Sequence, residues 1–225
     1  MSIQRVLVLV EGQTEEAFVK NVLAPYLLIH QIHPIPKIVT TRRRAGSPHD
    51  KGGISNYGKV KTDLRLLLKD SNARLVTTLI DYYGLPTDFP GKQSSLSGSY
   101  LERTKKIEDA FSQDINHPRF LPYLSLHEFE ALLFSEPETI AKSFSLQNQL
   151  PKLLQITSSV STPEEINDDP QTAPSKRLRS LYPNYDKPLH GTTIALQIGI
   201  EKIRNSCPHF NEWLTKLESL SQAST

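Results

Sequence analysis

The sequence has very little cysteine and no long apolar run, and each shortage excludes a class of protein. A single cysteine, Cys207, among 225 residues excludes an internal disulfide framework and a zinc cluster built from cysteines. No apolar run approaches the roughly 20 residues that a bilayer-spanning helix needs. The first residues also lack the pattern of a signal peptide. We therefore expect an ordinary globular protein of the cytoplasm with no membrane partner.

The sequence also lacks a clear excess of charge of either sign. It has 26 basic and 24 acidic side chains, which gives a net charge of +2. Such a balance does not by itself indicate nucleic-acid binding, because phosphate binding depends on local basic patches rather than on the total. The positions of the charges are therefore more informative than their sum.

Short apolar segments alternate with amphipathic ones in the first part of the chain. The continuous apolar run at 6–10 is typical of a strand that is covered on both faces of a parallel sheet. Further strands are predicted at 36–41, 75–80 and 120–124, with helices at about 57–69 and 101–113. This order predicts an α/β fold with a mostly parallel sheet flanked by helices.

The pattern after Ser125 is helical. Helices are predicted at about 127–134, 137–144, 173–181, 191–205 and 209–220, with linkers at 157–162 and 167–172. We therefore predict a core domain over 1–135 and a helical C-terminal extension over 136–225 that packs on it.

Acidic side chains follow two of the predicted strands directly. Glu11 comes after the first strand and Asp81 after the third, and the turn after Glu11 brings Glu15 back over the strand end. Ligands of parallel sheets collect beyond these carboxyl ends. Three carboxylates would repel one another unless a cation joined them, and oxygen ligands suit Mg²⁺ or Mn²⁺. The alternative is that Glu15 and Glu16 only complement the helix N-terminus, and for Glu16 we favour it.

A second group of acids lies just after the fourth predicted strand. Ser125 to Glu128 fits a helix capping box, which would explain Glu128 without any ligand role. Glu130 lies in an apolar run, where an unpaired charge is costly. His127, Glu128 or Glu130 could complete a metal site at the same edge of the sheet, or could form a structural ion pair.

Basic residues gather in two places. Arg42, Arg43 and Arg44 open a loop that also holds Lys51; this loop could grip phosphates or be a solvated surface run. The second group lies in the helical part and combines basic and aromatic residues: Lys176, Arg177, Arg179, Lys187, Tyr182, Tyr185 and His190. It would suit single-stranded nucleic acid, but we favour an amphipathic helix edge packed on the core.

The segment from Val10 to Glu15, Val-Glu-Gly-Gln-Thr-Glu, resembles the first motif of Toprim domains. This metal-dependent fold is shared by topoisomerases, bacterial primases and overcoming-lysogenization-defect (OLD) nucleases. The resemblance implies acid/base or metal chemistry for Glu11 and metal ligation by Glu15 and Asp81. Toprim domains end a later strand in Asp-x-Asp, and here Tyr83 replaces the second Asp. A phenol is uncharged at neutral pH, so Glu128 or Glu130 would have to assist.

A longer resemblance, to a bacterial Toprim-like family often found beside ATPase genes, covers nearly the whole chain. The segments that carry it are Lys51-Gly52-Gly53, Asp81 to Pro86 and His127 to Phe134. It implies a Mg²⁺- or Mn²⁺-dependent nuclease acting on DNA or RNA, in a phage-defence system with a partner ATPase. Glu11 and Lys51 would be catalytic, and Lys51 with Arg42, Arg43 and Arg44 would position the backbone.

Two alternatives to the nuclease remain open. One is a non-catalytic Toprim-like binding module or adaptor for a partner ATPase, which Tyr83 favours. The other is nucleotidyl or phosphoryl transfer to a small molecule.

Overall fold

The protein is an α/β structure in which a parallel sheet is flanked by helices, and this confirms the predicted fold class. The computed structural model describes residues 3–40, 54–94, 97–166 and 172–224. Within these ranges, no helix combines the length and the apolar character needed to cross a bilayer.

All strand pairings in the described residues are parallel. The strands are β1 (Gln4–Val10), β2 (Ile32–Ile38), β3 (Leu75–Asp81), β4 (Phe120–Leu121) and β5 (Leu124–Ser125). Their order is β2-β1-β3-β4, and β5 also pairs with β3. The chain leaves β1 toward one side of the sheet and comes back to β3 on the other, so a topological switch point lies between β1 and β3. Crevices at such points bind ligands.

The second strand lies four residues earlier than the sequence predicts. It runs from Ile32 to Ile38 and contains Pro34 and Pro36, whereas the strand predicted at 36–41 includes only Pro36. A proline cannot donate a hydrogen bond to a neighbouring strand, so it is tolerated mainly in edge strands. Because β2 pairs with β1 alone among the described strands, it lies at the edge of the described sheet, where prolines are tolerated.

The predicted strand at 120–124 is divided into β4 and β5 by Pro122 and Tyr123. The Thr78 side chain of β3 bridges the gap. Its hydroxyl donates to the Tyr123 carbonyl over 2.8 Å and accepts from the Tyr123 amide over 2.9 Å. A buried hydroxyl therefore replaces the strand pairing that the break interrupts.

The helices before the last strands cover the sheet and lead the chain between its edges. They are α1 (Gln13–Phe18), a π-helical turn (Val19–Leu23), α2 (Ala24–Ile29), α3 (Tyr57–Leu67) and α4 (Tyr100–Ile115). The predictions for α3 and α4 are correct to within two residues.

The helical part begins with a 3₁₀ helix, Phe129–Ser135. It continues with α5 (Pro137–Ser143), α6 (Leu150–Ser158), α7 (Pro174–Leu181), a π-helical turn (Lys187–Gly191), α8 (Thr192–Ile198), α9 (Ile200–Ser206) and α10 (Pro208–Glu218). Short 3₁₀ turns lie at Gln147–Gln149, Pro163–Glu165 and Ser219–Ser224. The sequence analysis missed α6. It also joined α8 and α9, which Gly199 separates with a φ of +82° that favours glycine.

Two hydrophobic cores lie on opposite faces of the sheet, because side chains of β1 alternate between its faces. Leu7 and Leu9 pack with α3 and α4. Val6, Val8 and Val10 pack with α1 and with the helical part, including Phe210 and Trp213 of α10. The helical part therefore shares a core with the first strand, whereas the division of the chain at residue 135 stays a prediction.

Trp213, the only tryptophan, should report on this shared core. Its ring is 2% exposed and stacks on Tyr123 with centroids 4.5 Å apart, and its Nε1 donates to the Thr77 hydroxyl over 2.9 Å. We expect its fluorescence to be blue-shifted in the native protein and to shift red on denaturation together with loss of far-ultraviolet circular dichroism. Trp213→Ala should cost about 3–5 kcal/mol of unfolding free energy. Two separate transitions would contradict a shared core.

Candidate acidic site at the carboxyl edge of the sheet

Glu11 and Asp81 lie side by side at the switch point. Val10 is in register with Leu79, so the residues that follow these positions emerge together at the carboxyl edge. The Asp81 backbone amide donates to Glu11 Oε2 over 3.3 Å. The structure thus brings together the two acids that the sequence places at neighbouring strand ends.

Glu15 joins them from the first turn of α1. Its side chain is buried, and its Oε2 accepts from the Gly12 amide over 2.9 Å. Glu16 instead forms an ion pair of 2.7 Å with Lys20 one helical turn later. This matches the alternative that we favour for Glu16, whereas Glu15 turns back toward the strand end.

The segment after β5 contacts the same acids, but without the predicted capping box. The Phe129 amide donates to Asp81 Oδ1 over 3.0 Å. The 3₁₀ helix begins at Phe129 with no side-chain cap, and the buried Ser125 hydroxyl has no hydrogen-bond partner among the described residues. Glu128 accepts instead from the Ser175 amide of α7 over 3.0 Å. The capping-box interpretation was wrong because Glu128 accepts its hydrogen bond from a helix that is distant in the sequence.

Lys187 supplies the cation of the site. Its Nζ lies 3.1 Å from Glu130 Oε1 and 3.7 Å from Glu128 Oε1, and the Glu130 side chain is 1% exposed. Lys187 belongs to the basic and aromatic group of the helical part, for which the favoured prediction is a helix edge packed on the core. The apolar run around Glu130 signals that this acid needs a partner, but local sequence does not identify a lysine 57 residues away.

The acidic cluster consists of Glu11, Glu15, Asp81, Glu128 and Glu130, and burial with mutual repulsion raises the pKa of four of these acids. Burial, reinforced by Glu15, raises the pKa of Glu11 to about 7. Burial also raises the pKa of Glu15, and burial with the charges of Glu15 and Glu11 raises that of Asp81. Burial raises the pKa of Glu130 to about 7 although Lys187 opposes it. These shifts show that negative charge is costly here.

The pKa of Lys187 is raised in turn. Burial lowers it, but Glu130 and Glu128 outweigh burial and keep the ammonium charged.

Backbone amides fix the orientation of the carboxylates. One carboxylate oxygen of each of four acids accepts a hydrogen bond from a backbone amide: Glu11, Glu15, Asp81 and Glu128. Gly84 allows Glu11 to lie close to the chain, because a Cβ at this position would be 3.1 Å from Glu11 Oε1. The acids are therefore held in place from the backbone rather than by one another.

The chemical type of the side chains suits a hard divalent cation. They offer carboxylate oxygens as ligands, and a cation would relieve the repulsion between them. In the arrangement present, no group of three or more His, Cys, Asp or Glu side chains in the described part of the chain could hold a metal ion. Tyr83 is 45% exposed and is not a substitute ligand. Metal binding at this cluster therefore stays a prediction.

Of the two predicted basic groups, the structure describes only the second. Arg42, Arg43, Arg44 and Lys51 lie outside the described residues. In the second group the aromatic rings pack internally, as the favoured alternative holds: Tyr182 stacks on Phe144 with centroids 4.3 Å apart, and Tyr185 is buried.

A family model described as a domain of unknown function, DUF4276, matches residues 10–218. The chain belongs to the DUF4276 family. The match extends from the end of β1 to the end of α10 and includes Glu11, Asp81, Glu130 and Lys187. No curated protein matches the chain.

Three solved structures of the C-terminal region of the OLD protein of Xanthomonas campestris pv. campestris are similar to this DUF4276 chain at 16% identity. Those phased with iodine and mercury cover 96% of the chain and 98% of their own, with a TM-score of 0.37. The one phased with platinum covers 94% of each chain with a TM-score of 0.39. A likeness this distant carries no argument about activity.

The raised pKa values predict how stability depends on pH when divalent ions are absent. Glu11 and Glu130 titrate near 7 when folded and near 4.5 otherwise. The folded state therefore binds more protons between these values, and the free energy of unfolding should fall as pH rises from about 4.5 to 7. Chemical denaturation in a chelator at several pH values measures this fall.

Glu11→Gln is the variant that isolates the acidic cluster, because an amide does not titrate. We expect this variant to reduce the pH-dependent fall in the free energy of unfolding by on the order of 2 kcal/mol. His209 contributes a loss of the same sign above its unfolded value of 6.5, because Glu108 raises its pKa in spite of burial, and this part should persist. A pH profile unchanged by Glu11→Gln would contradict the prediction.

Proposed function

We propose that the protein is a Toprim-type phosphodiesterase that hydrolyses nucleic acid with Mg²⁺ or Mn²⁺. The observation that carries the proposal is the set of buried carboxylates with raised pKa values at the switch point between β1 and β3. Acidic residues with only a structural role can stay at the surface, apart from one another. Functional sites, in contrast, often hold several groups with shifted pKa values together in a crevice.

Glu11, Glu15 and Asp81 are the residues that would hold the ion, with Glu128 or Glu130 assisting. When bound, the metal would polarise the phosphate and lower the pKa of a water molecule. The amides of Gly12, Asp81 and Phe129 keep these carboxylates oriented before any ligand arrives.

Glu11 is suited to moving a proton, because its pKa of about 7 lets it both accept and release one near neutral pH. Lys187 keeps a positive charge within the cluster, where it can stabilise the negative charge that develops on a reacting phosphate. Lys51, Arg42, Arg43 and Arg44 remain the proposed residues that position the backbone, with Lys51 also proposed as catalytic. A partner ATPase, a role in phage defence and a cytoplasmic location also remain proposals.

The direct test is cleavage of DNA and RNA by the purified protein with Mg²⁺ or Mn²⁺. Glu11→Gln and Asp81→Asn should each lower the rate about 100-fold or more, because each removes a group that the reaction needs. Glu16→Gln is the matched control, since Glu16 pairs with Lys20 outside the cluster, and it should cleave like the wild type. Undiminished cleavage by both cluster variants would refute the assignment.

A second function, a non-catalytic binding module for a partner ATPase, is favoured by one observation. Lys187 already pairs with Glu128 and Glu130, so part of the negative charge is neutralised internally without a metal. In this case the acids would serve the fold rather than chemistry.

Isothermal titration with Mg²⁺ and Mn²⁺ separates the two functions. The nuclease requires metal binding that Asp81→Asn weakens at least about 10-fold, because one carboxylate ligand is lost. Absence of heat and of thermal stabilisation by either ion would favour the binding module.

A further inference from the structure

A basic cleft lies between α6 and α7, apart from the acidic cluster. It has a volume of about 410 Å³. Its lining consists of Lys152, Gln155, Ile156, Ser159, Thr172, Lys176, Arg177 and Ser180. Three of these side chains are cationic, several others can donate hydrogen bonds, and none is acidic.

The lysines of this cleft differ from those that are held by a carboxylate elsewhere in the described structure. Lys105, Lys187 and Lys202 each lie within 4 Å of a carboxylate. Among the described residues, neither Lys152 nor Lys176 forms such an ion pair. Both are exposed, and no described acidic residue lines the cleft with them.

Helix α7 connects the cleft to the acidic cluster. The Ser175 amide in its first turn donates to Glu128 Oε2 over 3.0 Å, and the next two residues, Lys176 and Arg177, line the cleft. Arg177 is fixed there, because its Nε donates to the Thr172 carbonyl over 2.6 Å. One short helix thus contacts the acids and carries the cations.

A second cleft adjoins the first. It has a volume of about 540 Å³ and is lined by Ser99, Tyr100, Ser158, Ser159, Val160, Ser161 and Glu165. Ser159 lines both clefts. We call the two together the basic groove.

Three side chains in contact lie at the end of the basic groove that contains Tyr100. The Arg103 guanidinium lies 4.1 Å from the centre of the Tyr100 ring, and Tyr100 contacts the His127 ring with centroids 4.2 Å apart. The His127 carbonyl accepts from the Tyr83 amide, just beyond Asp81. The groove therefore leads from Lys152 and Lys176 to the carboxyl edge of β3.

We propose that the basic groove binds the sugar–phosphate backbone of a nucleic acid whose reacting phosphate lies at the acidic cluster. This inference rests on the proposed function. Lysine, arginine, hydroxyl and amide side chains are the groups that contact phosphates and sugars without reading sequence. The groove also explains how an acidic site attracts a polyanion, because the cations lie beside it.

The test measures the binding of a labelled single-stranded oligonucleotide by fluorescence anisotropy. The buffer contains a chelator, and the measurement is repeated at several salt concentrations. For Lys152→Gln/Lys176→Gln we expect at least about 10-fold weaker binding at low salt. The slope of log K against log [salt] should decrease by about 1.4, or about 0.7 for each lost phosphate contact. Adding Arg177→Gln should weaken binding further, with circular dichroism confirming the fold.

Lys69→Gln/Arg74→Gln is the matched control. It removes the same charge from exposed residues that precede β3, at the opposite edge of the sheet. Its affinity and salt slope should stay within about twofold of the wild type.

Equal effects of the two double variants would overturn the proposal. So would binding of tripolyphosphate by the groove without binding of the oligonucleotide, since the ligand would then be a small polyphosphate. Because the measurement needs no cleavage, an inactive protein that binds through the groove would refute the nuclease but not the groove. An active nuclease whose binding of the oligonucleotide is unchanged by the Lys152→Gln/Lys176→Gln substitutions would refute the groove but not the nuclease.

Discussion

The repulsion among buried carboxylates at the switch point is the constraint on which the rest of the structure depends. Parallel pairing of β1 and β3 places Glu11 and Asp81 next to each other, and α1 adds Glu15. Like charges this close raise one another's pKa and weaken the folded state unless other groups offset them. The surrounding elements supply that compensation.

Compensation comes from backbone amides and from one ammonium group, and much of it comes from the helical part. Gly12 and Phe129 contribute amides from the segments after β1 and β5. Ser175 contributes an amide from α7, and Lys187 contributes the charge. The site is thus completed by residues far along the chain from the sheet. The helical part that supplies these groups also shares an apolar core with β1.

The near-zero net charge conceals a separation of charge in space. Acids gather at the carboxyl edge of the sheet, whereas Lys152, Lys176 and Arg177 line a neighbouring cleft whose described lining contains no acidic residue. A metal-dependent reaction on a polyanion requires such an arrangement, because the acids that hold a cation would otherwise repel the substrate. Local sign, and not the sum of 26 and 24, therefore decides what this surface can bind.

The sequence by itself determined the α/β class, the positions of β1 and β3, and the placement of Glu11 and Asp81 at their ends. These features depend on apolar runs and on the first charged residue after them, which are local. Only the tertiary structure decided that Pro34 and Pro36 belong to an edge strand. It also decided that Glu128 binds Ser175 rather than a capping serine, and that Glu130 pairs with Lys187. These contacts join residues 47 and 57 positions apart, and packing of the whole chain, rather than local pattern, selects such partners.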